Sequence, residues 1–110
     1  MAKRDRRERI LQEAWLGDAV LCLYARQRIL REDGCIEAAR CERMTSNQFL
    51  SAVGEASEVE AELGRVFHNE GLDAAFAWIE RTLMPVFEKQ ELKRQKREAA
   101  KNSVTRLPPR

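Results

Sequence analysis

The chain has 110 residues, of which 44% are hydrophobic and 35% charged, a composition typical of one small soluble domain with more charge than usual. No apolar run reaches the roughly 18 residues that a membrane-spanning helix needs, and the basic N-terminus leads into no apolar signal segment. The three cysteines, Cys22, Cys35 and Cys41, have no CxxC spacing, which predicts reduced thiols in a cytoplasmic protein rather than a zinc site.

The net charge of +2 is distributed unevenly along the chain. Residues 1–9 carry five basic and two acidic groups, residues 89–110 carry eight and two, and residues 10–88 carry seven and fourteen. An acidic body between basic ends predicts carboxylates that hold cations and arms that contact phosphate, although charge runs are often only solvated termini. The candidate RNA-binding residues at the two ends are Arg4, Arg6, Arg7, Lys93, Arg94, Lys96 and Arg97.

Apolar residues recur at helical spacing throughout the chain, which predicts an all-α fold with no strand. We expect a basic lead (1–9), one helical domain (10–87), and a basic helical extension that fades into a disordered tail (88–110). The first predicted helix runs from about Asp5 to Arg31, and the second begins near Ile36 and breaks at a fresh N-cap within Thr45-Ser46-Asn47. The third ends at Gly71, and the fourth starts at Leu72 and is kinked at Pro85.

Asp18 stands out in the stretch AWLGDAVLCLY (14–24), because the ten other residues are apolar, aromatic or glycine. An ionised carboxylate costs several kcal/mol in an apolar setting unless it is paired or binds a cation. One interpretation pairs Asp18 with an arginine elsewhere in the chain. The preceding Gly17 favours another one, since glycine inside a helix usually permits the close approach of a second backbone or a ligand.

A second acidic stretch, SEVEAELG (57–64), again places an acid one turn from a glycine. By itself this stretch is compatible with a solvent-exposed acidic helix. If the two helices cross at Gly17 and Gly64, however, Asp18 comes near Glu60. Two carboxylates brought together in this way favour a hard divalent cation such as Mg²⁺, with water completing its octahedron.

Taken together, these two stretches resemble the motifs of the ribonuclease III catalytic domain. The first motif matches at LGDAVL (16–21), and the second matches at Glu60, Ala61, Gly64, Phe67, Gly71, Leu72 and Ala75. The resemblance covers roughly residues 10–83. It implies a homodimer of helical subunits whose acids hold Mg²⁺, with Mn²⁺ as a substitute, and cleave double-stranded RNA.

The chain departs from the family at two of its four acid positions, which are Ala14 and Ser57 here. An alanine and a hydroxyl residue at these positions are characteristic of the branch called Mini-ribonuclease III, whose members lack a separate RNA-binding domain and act in ribosomal RNA maturation. The resemblance therefore assigns catalysis and metal binding to Asp18 and Glu60. It also gives Trp15 the role of an aromatic residue that inserts into a socket on the partner subunit.

The segment before the second motif, residues 48–57, leaves no room for the basic RNA-binding loop that Mini-ribonuclease III carries there. One interpretation is a cytoplasmic endonuclease of ribosomal or other structured RNA, with the basic ends replacing that loop and a ribosomal protein as a further partner. The alternative is a non-catalytic RNA-binding or ribosome-associated protein with the same fold. Neither interpretation involves a membrane.

Overall fold

The computed structural model describes residues 2–105. This range contains six α-helices, joined by short loops, and no strand. The predicted all-α class is therefore confirmed for this range, in which no helix is long and apolar enough to cross a membrane. The helices are α1 (Ala2–Asp33), α2 (Ala38–Thr45), α3 (Asn47–Leu50), α4 (Ala56–Glu70), α5 (Leu72–Thr82) and α6 (Met84–Thr105).

The core forms where α1 and α4 pack along each other and α2, α3, α5 and the start of α6 cover them. Burying large apolar side chains from each of these elements is the main stabilising contribution. The fully buried large side chains are Leu21, Met44, Leu50, Leu63, Ile79 and Leu83.

Most helix ends lie within a few residues of their predicted positions. Gly34 and Gly71 both adopt positive φ angles, and each backbone N–H closes the preceding helix by donating to a carbonyl four residues earlier. The N-cap predicted within Thr45-Ser46-Asn47 is Ser46, whose hydroxyl accepts the N–H of Phe49 at 3.1 Å. The first helix begins at Ala2 rather than near Asp5, so the basic lead is part of α1.

The kink predicted at Pro85 is instead an interruption of the helix at Leu83, which separates α5 from α6. Pro85 lies in the first turn of α6, where a helix tolerates the missing backbone N–H. The apolar stripe continues across the interruption, since Phe87 is buried and meets Phe49 edge to face.

The two basic ends lie at opposite ends of α1. Arg28, in the C-terminal half of α1, donates to Glu88 at 3.0 Å, and Arg43 of α2 donates two hydrogen bonds of 3.0 Å to Glu91. These ion pairs hold α6 beside the C-terminal end of α1, a helix about 48 Å long at 1.5 Å per residue. The predicted helical extension is present, whereas residues 106–110 of the predicted tail lie outside the described range.

Candidate functional site

The site is built on a close crossing of α1 and α4 at Gly17 and Gly64. A Cβ atom on Gly17 would overlap the carbonyl oxygen of Glu60 and lie 2.8 Å from its carbonyl carbon. A Cβ atom on Gly64 would overlap the carbonyl oxygen of Glu13 in the same way, 2.9 Å from its carbonyl carbon. Only glycine lets the two backbones approach so closely, as the sequence predicted.

The crossing brings the side chains of Asp18 and Glu60 together. The pKa of Glu60 is raised to about 7, first by burial, then by a hydrogen bond and charge repulsion from Asp18, and last by the charge of Glu55. A like charge and desolvation both favour the protonated form of a carboxyl group. The carboxyl group of Glu60 is therefore partly protonated near neutral pH.

Asp18 is exposed, which corrects the expectation that it is costly because its neighbours in sequence are apolar. Leu21 is buried in the core, whereas Asp18 lies on the solvent side of α1 with the exposed Trp15. Within the described range no arginine forms an ion pair with it. The group that loses solvation is Glu60, which is half-buried on α4.

Two further residues border the pair and were missed by sequence reasoning. Glu55 precedes α4, where its carboxylate accepts the N–H of Glu58 at 2.9 Å. Cys22 lies one turn after Asp18, and the pKa of its thiol is raised mainly by burial and next by the Asp18 charge. The one available signal was the spacing of an N-cap acid three residues before Glu58.

The pair fits a Mg²⁺ ion better than a metal that needs many protein ligands. Among the residues that the structure describes, no cluster of three or more His, Cys, Asp and Glu side chains is close enough to hold a metal. Mg²⁺ commonly takes one or two carboxylates and fills its other positions with water and phosphate oxygens. Asp18 and Glu60 supply two hard oxygen donors of this kind.

The opposite side of the same crossing forms a groove of about 860 Å³ in which acidic and basic side chains balance. Arg65 of α4 donates to Glu13 of α1 at 3.1 Å across it. The charged and polar residues that line the groove are Arg6, Arg9, Glu13, Glu58, Glu62, Arg65, His68 and Asn69. Glu58 and Glu62 thus border this groove.

The structure does not bring the predicted RNA-binding residues together at the carboxylate pair. Arg4, Arg6 and Arg7 are exposed on the first turns of α1, while Lys93, Lys96 and Arg97 are exposed on α6 beyond its other end. Arg94 is half-buried and donates to Glu91 at 3.3 Å, so it contributes to the anchoring of α6.

Trp15 is 83% exposed, an unusual position for the largest apolar side chain. It lies on α1 with other partly exposed apolar residues, among them Leu11 and Leu30. At the far end of this stripe, an apolar groove of about 520 Å³ opens between α1 and α2. Ile36, which is 86% exposed, forms part of its wall.

Comparisons of the chain with protein-family models, with curated proteins and with solved structures give no match.

Proposed function

We propose that this protein is a homodimeric, Mg²⁺-dependent endoribonuclease that cleaves double-stranded RNA, of the Mini-ribonuclease III type. The observation that carries the proposal is the pairing of Asp18 with Glu60 where α1 and α4 cross at two glycines. Two carboxylates held together without a basic partner repel each other when both are ionised, and a bound cation would remove this repulsion.

In this proposal, the two carboxylates bind the same cation from different surroundings. Asp18 is exposed and open to a large substrate, while the half-buried Glu60 is held by the crossing beneath it. A Mg²⁺ ion bound there would activate water and stabilise negative charge on the scissile phosphate. Because the pKa of Glu60 is raised to about 7, protons compete with the cation at acidic pH, and cleavage should decline below neutrality.

The dimer of this proposal is supported by the exposed apolar face of α1. A two-fold interface is self-complementary, so a protruding group on one subunit must meet a recess on the other, and the reverse. Trp15 provides the protruding group, and the groove beside Leu30 and Ile36 provides an apolar recess on the same face of the molecule. A buried aromatic anchor of this type often dominates an interface.

RNA binding is supported by the exposed cations on the first turns of α1 and on α6. Duplex RNA is recognised chiefly by shape and by phosphate contacts, because its major groove is too narrow for side chains to read. Binding through phosphates should weaken steeply with salt.

A second candidate function is a non-catalytic RNA-binding or ribosome-associated protein. The observation in its favour is that only two carboxylates converge within the described part of the chain. Such a protein would keep the basic ends and the dimer, and its acid pair would have no catalytic role.

Cleavage of a long duplex RNA in Mg²⁺ separates the two candidates. We expect the wild type to cut and Glu60→Gln to lose at least about 10³-fold of the rate, a loss comparable to the removal of other transition-state charge stabilisation. Glu62→Gln is the matched control, since Glu62 lies on the same helix but borders the opposite groove. Binding without cleavage by all three proteins would favour the non-catalytic function.

A further inference from the structure

The arginines at the start of α1 lie on two different faces of the helix. Arg4 and Arg7 precede Asp18 by fourteen and eleven residues, and Leu11 continues the same row. Side chains three, four and seven residues apart share one helix face, so this row leads to the carboxylate pair. Leu11 and Asp18 are both exposed in the subunit. Leu11 also belongs, with Trp15, to the face proposed for the dimer, so the duplex would lie along the edge of that interface.

Arg6 and Arg9 belong to the other face. Both line the groove on the far side of the α1–α4 crossing, together with Arg65. Three glutamates line the same groove, so the positive charge there is already balanced within the protein. Neither Arg4 nor Arg7 borders that groove, and neither forms an ion pair with another of the described side chains.

Helix geometry sets the distances along this row. At 1.5 Å per residue, Arg7 lies about 16 Å and Arg4 about 21 Å along the helix axis from Asp18. A duplex whose scissile phosphate lies at Asp18 and Glu60 would therefore pass these arginines several base pairs away. Arginine suits such a contact, since its planar guanidinium binds phosphate oxygens in pairs.

We propose that Arg4 and Arg7 are the positioning residues of the duplex, which hold a phosphate backbone in register with the carboxylate pair, and that Arg6 and Arg9 do not contribute to this role. This inference rests on the proposed function and specifies which of the N-terminal cations contact the substrate. It divides a basic run that looks uniform in sequence, KRDRRER (3–9), by the face that each residue occupies.

The test compares two double variants that remove the same charge. Arg4→Gln/Arg7→Gln removes the row that leads to Asp18, and Arg9→Gln/Arg65→Gln removes two arginines of the balanced groove. Binding of a long duplex RNA is measured over a range of salt concentrations, with Ca²⁺ replacing Mg²⁺ to prevent cleavage. Steady-state cleavage is then measured in Mg²⁺.

For Arg4→Gln/Arg7→Gln we expect about tenfold weaker binding and a salt dependence reduced by nearly 2 in the slope of log K against log salt, since each lost phosphate contact accounts for about 0.9. KM should rise while kcat at saturating RNA stays within about twofold, because the lost contacts are the same in the ground and transition states. The control should bind like the wild type.

Equal losses in both double variants would overturn the inference, because net charge rather than position would then explain binding. Unchanged binding in both would overturn it as well, with cleavage by the wild type still supporting the proposed function. If the wild type neither binds nor cuts duplex RNA, the proposed function itself fails, and this inference fails with it.

Discussion

The two sides of the α1–α4 crossing share the same helices and the same two glycines, yet acidic groups are paired with basic groups on one side only. On one side Glu13 meets Arg65 at 3.1 Å, and the surrounding groove balances its acidic and basic residues. On the other side Asp18 and Glu60 face each other without a basic partner among the described residues. A balanced groove contributes to folding at little cost, whereas an unbalanced pair lowers stability unless a proton or a cation neutralises it.

Both sides depend on the close crossing, so Gly17→Ala should have the largest effect. Alanine would favour the helix by up to about 1 kcal/mol, but its Cβ would overlap the Glu60 backbone, which cannot move independently of α4. We expect a net destabilisation of about 3 kcal/mol or more in chemical denaturation. Gly54→Ala is the control, since its Cβ would meet only a methyl group of Val59 at 3.2 Å. Near-normal stability of Gly17→Ala would show that the helices do not cross so closely.

The next largest effect concerns the exposed face beside the carboxylate pair. We expect Trp15→Ala to raise the dimer dissociation constant at least about 30-fold, as the loss of an aromatic hot spot does. Leu92→Ala serves as the control, because Leu92 is 52% exposed on α6, away from this face. Analytical ultracentrifugation over a range of concentrations measures both. A wild type that remains monomeric at every concentration would refute the dimer.

Glu60→Gln should produce a smaller, pH-dependent gain in stability when no divalent cation is present. The native protein holds the Glu60 proton up to about pH 7, while the unfolded chain releases it near 4.5, so wild-type stability falls between these values. The Glu60→Gln variant has no carboxyl group at this position, so its stability does not fall in this way as the pH rises. Because Glu60 is only half-buried, solvent screening limits the gain above pH 7 to on the order of 1 kcal/mol.

Thermal melting of both proteins between about pH 4 and pH 8 follows this difference, which should vanish at the acidic end where both folded and unfolded Glu60 are protonated. A constant difference at all pH values would mean that the raised pKa of Glu60 is not its cause.

The smallest effect is expected on the balanced side. Arg65→Gln removes the ion pair with Glu13, which is partly exposed, and should cost less than about 1 kcal/mol in thermal denaturation. Its cleavage rate should equal that of the wild type. A loss of cleavage as large as that of Glu60→Gln would mean that the reaction takes place in the groove beside Arg65 and not at Asp18 and Glu60.

Sequence reasoning predicted the crossing better than it predicted solvent exposure. Gly17 and Gly64 each lie one turn or less from an acid, and their lack of a side chain has one main structural use inside a helix, so the approach of Asp18 to Glu60 could be inferred. The exposure of Asp18 could not be inferred from its apolar neighbours in sequence, since successive side chains along a helix point in different directions.

Another feature depended on tertiary contacts that no local pattern contains. Arg94 looked equivalent to its basic neighbours, but the pairing of Glu91 with Arg43 draws it into an anchoring network.

The central claim is that Asp18 and Glu60 form a cation site, and the most direct test is thermal melting with and without Mg²⁺ at low salt above pH 7, where Glu60 is ionised. A ligand that binds only the native state raises the melting temperature. We expect Mg²⁺ to raise it for the wild type and for Glu62→Gln, and to leave Asp18→Asn unchanged. An equal rise in Asp18→Asn, or no rise in the wild type, would contradict the claim.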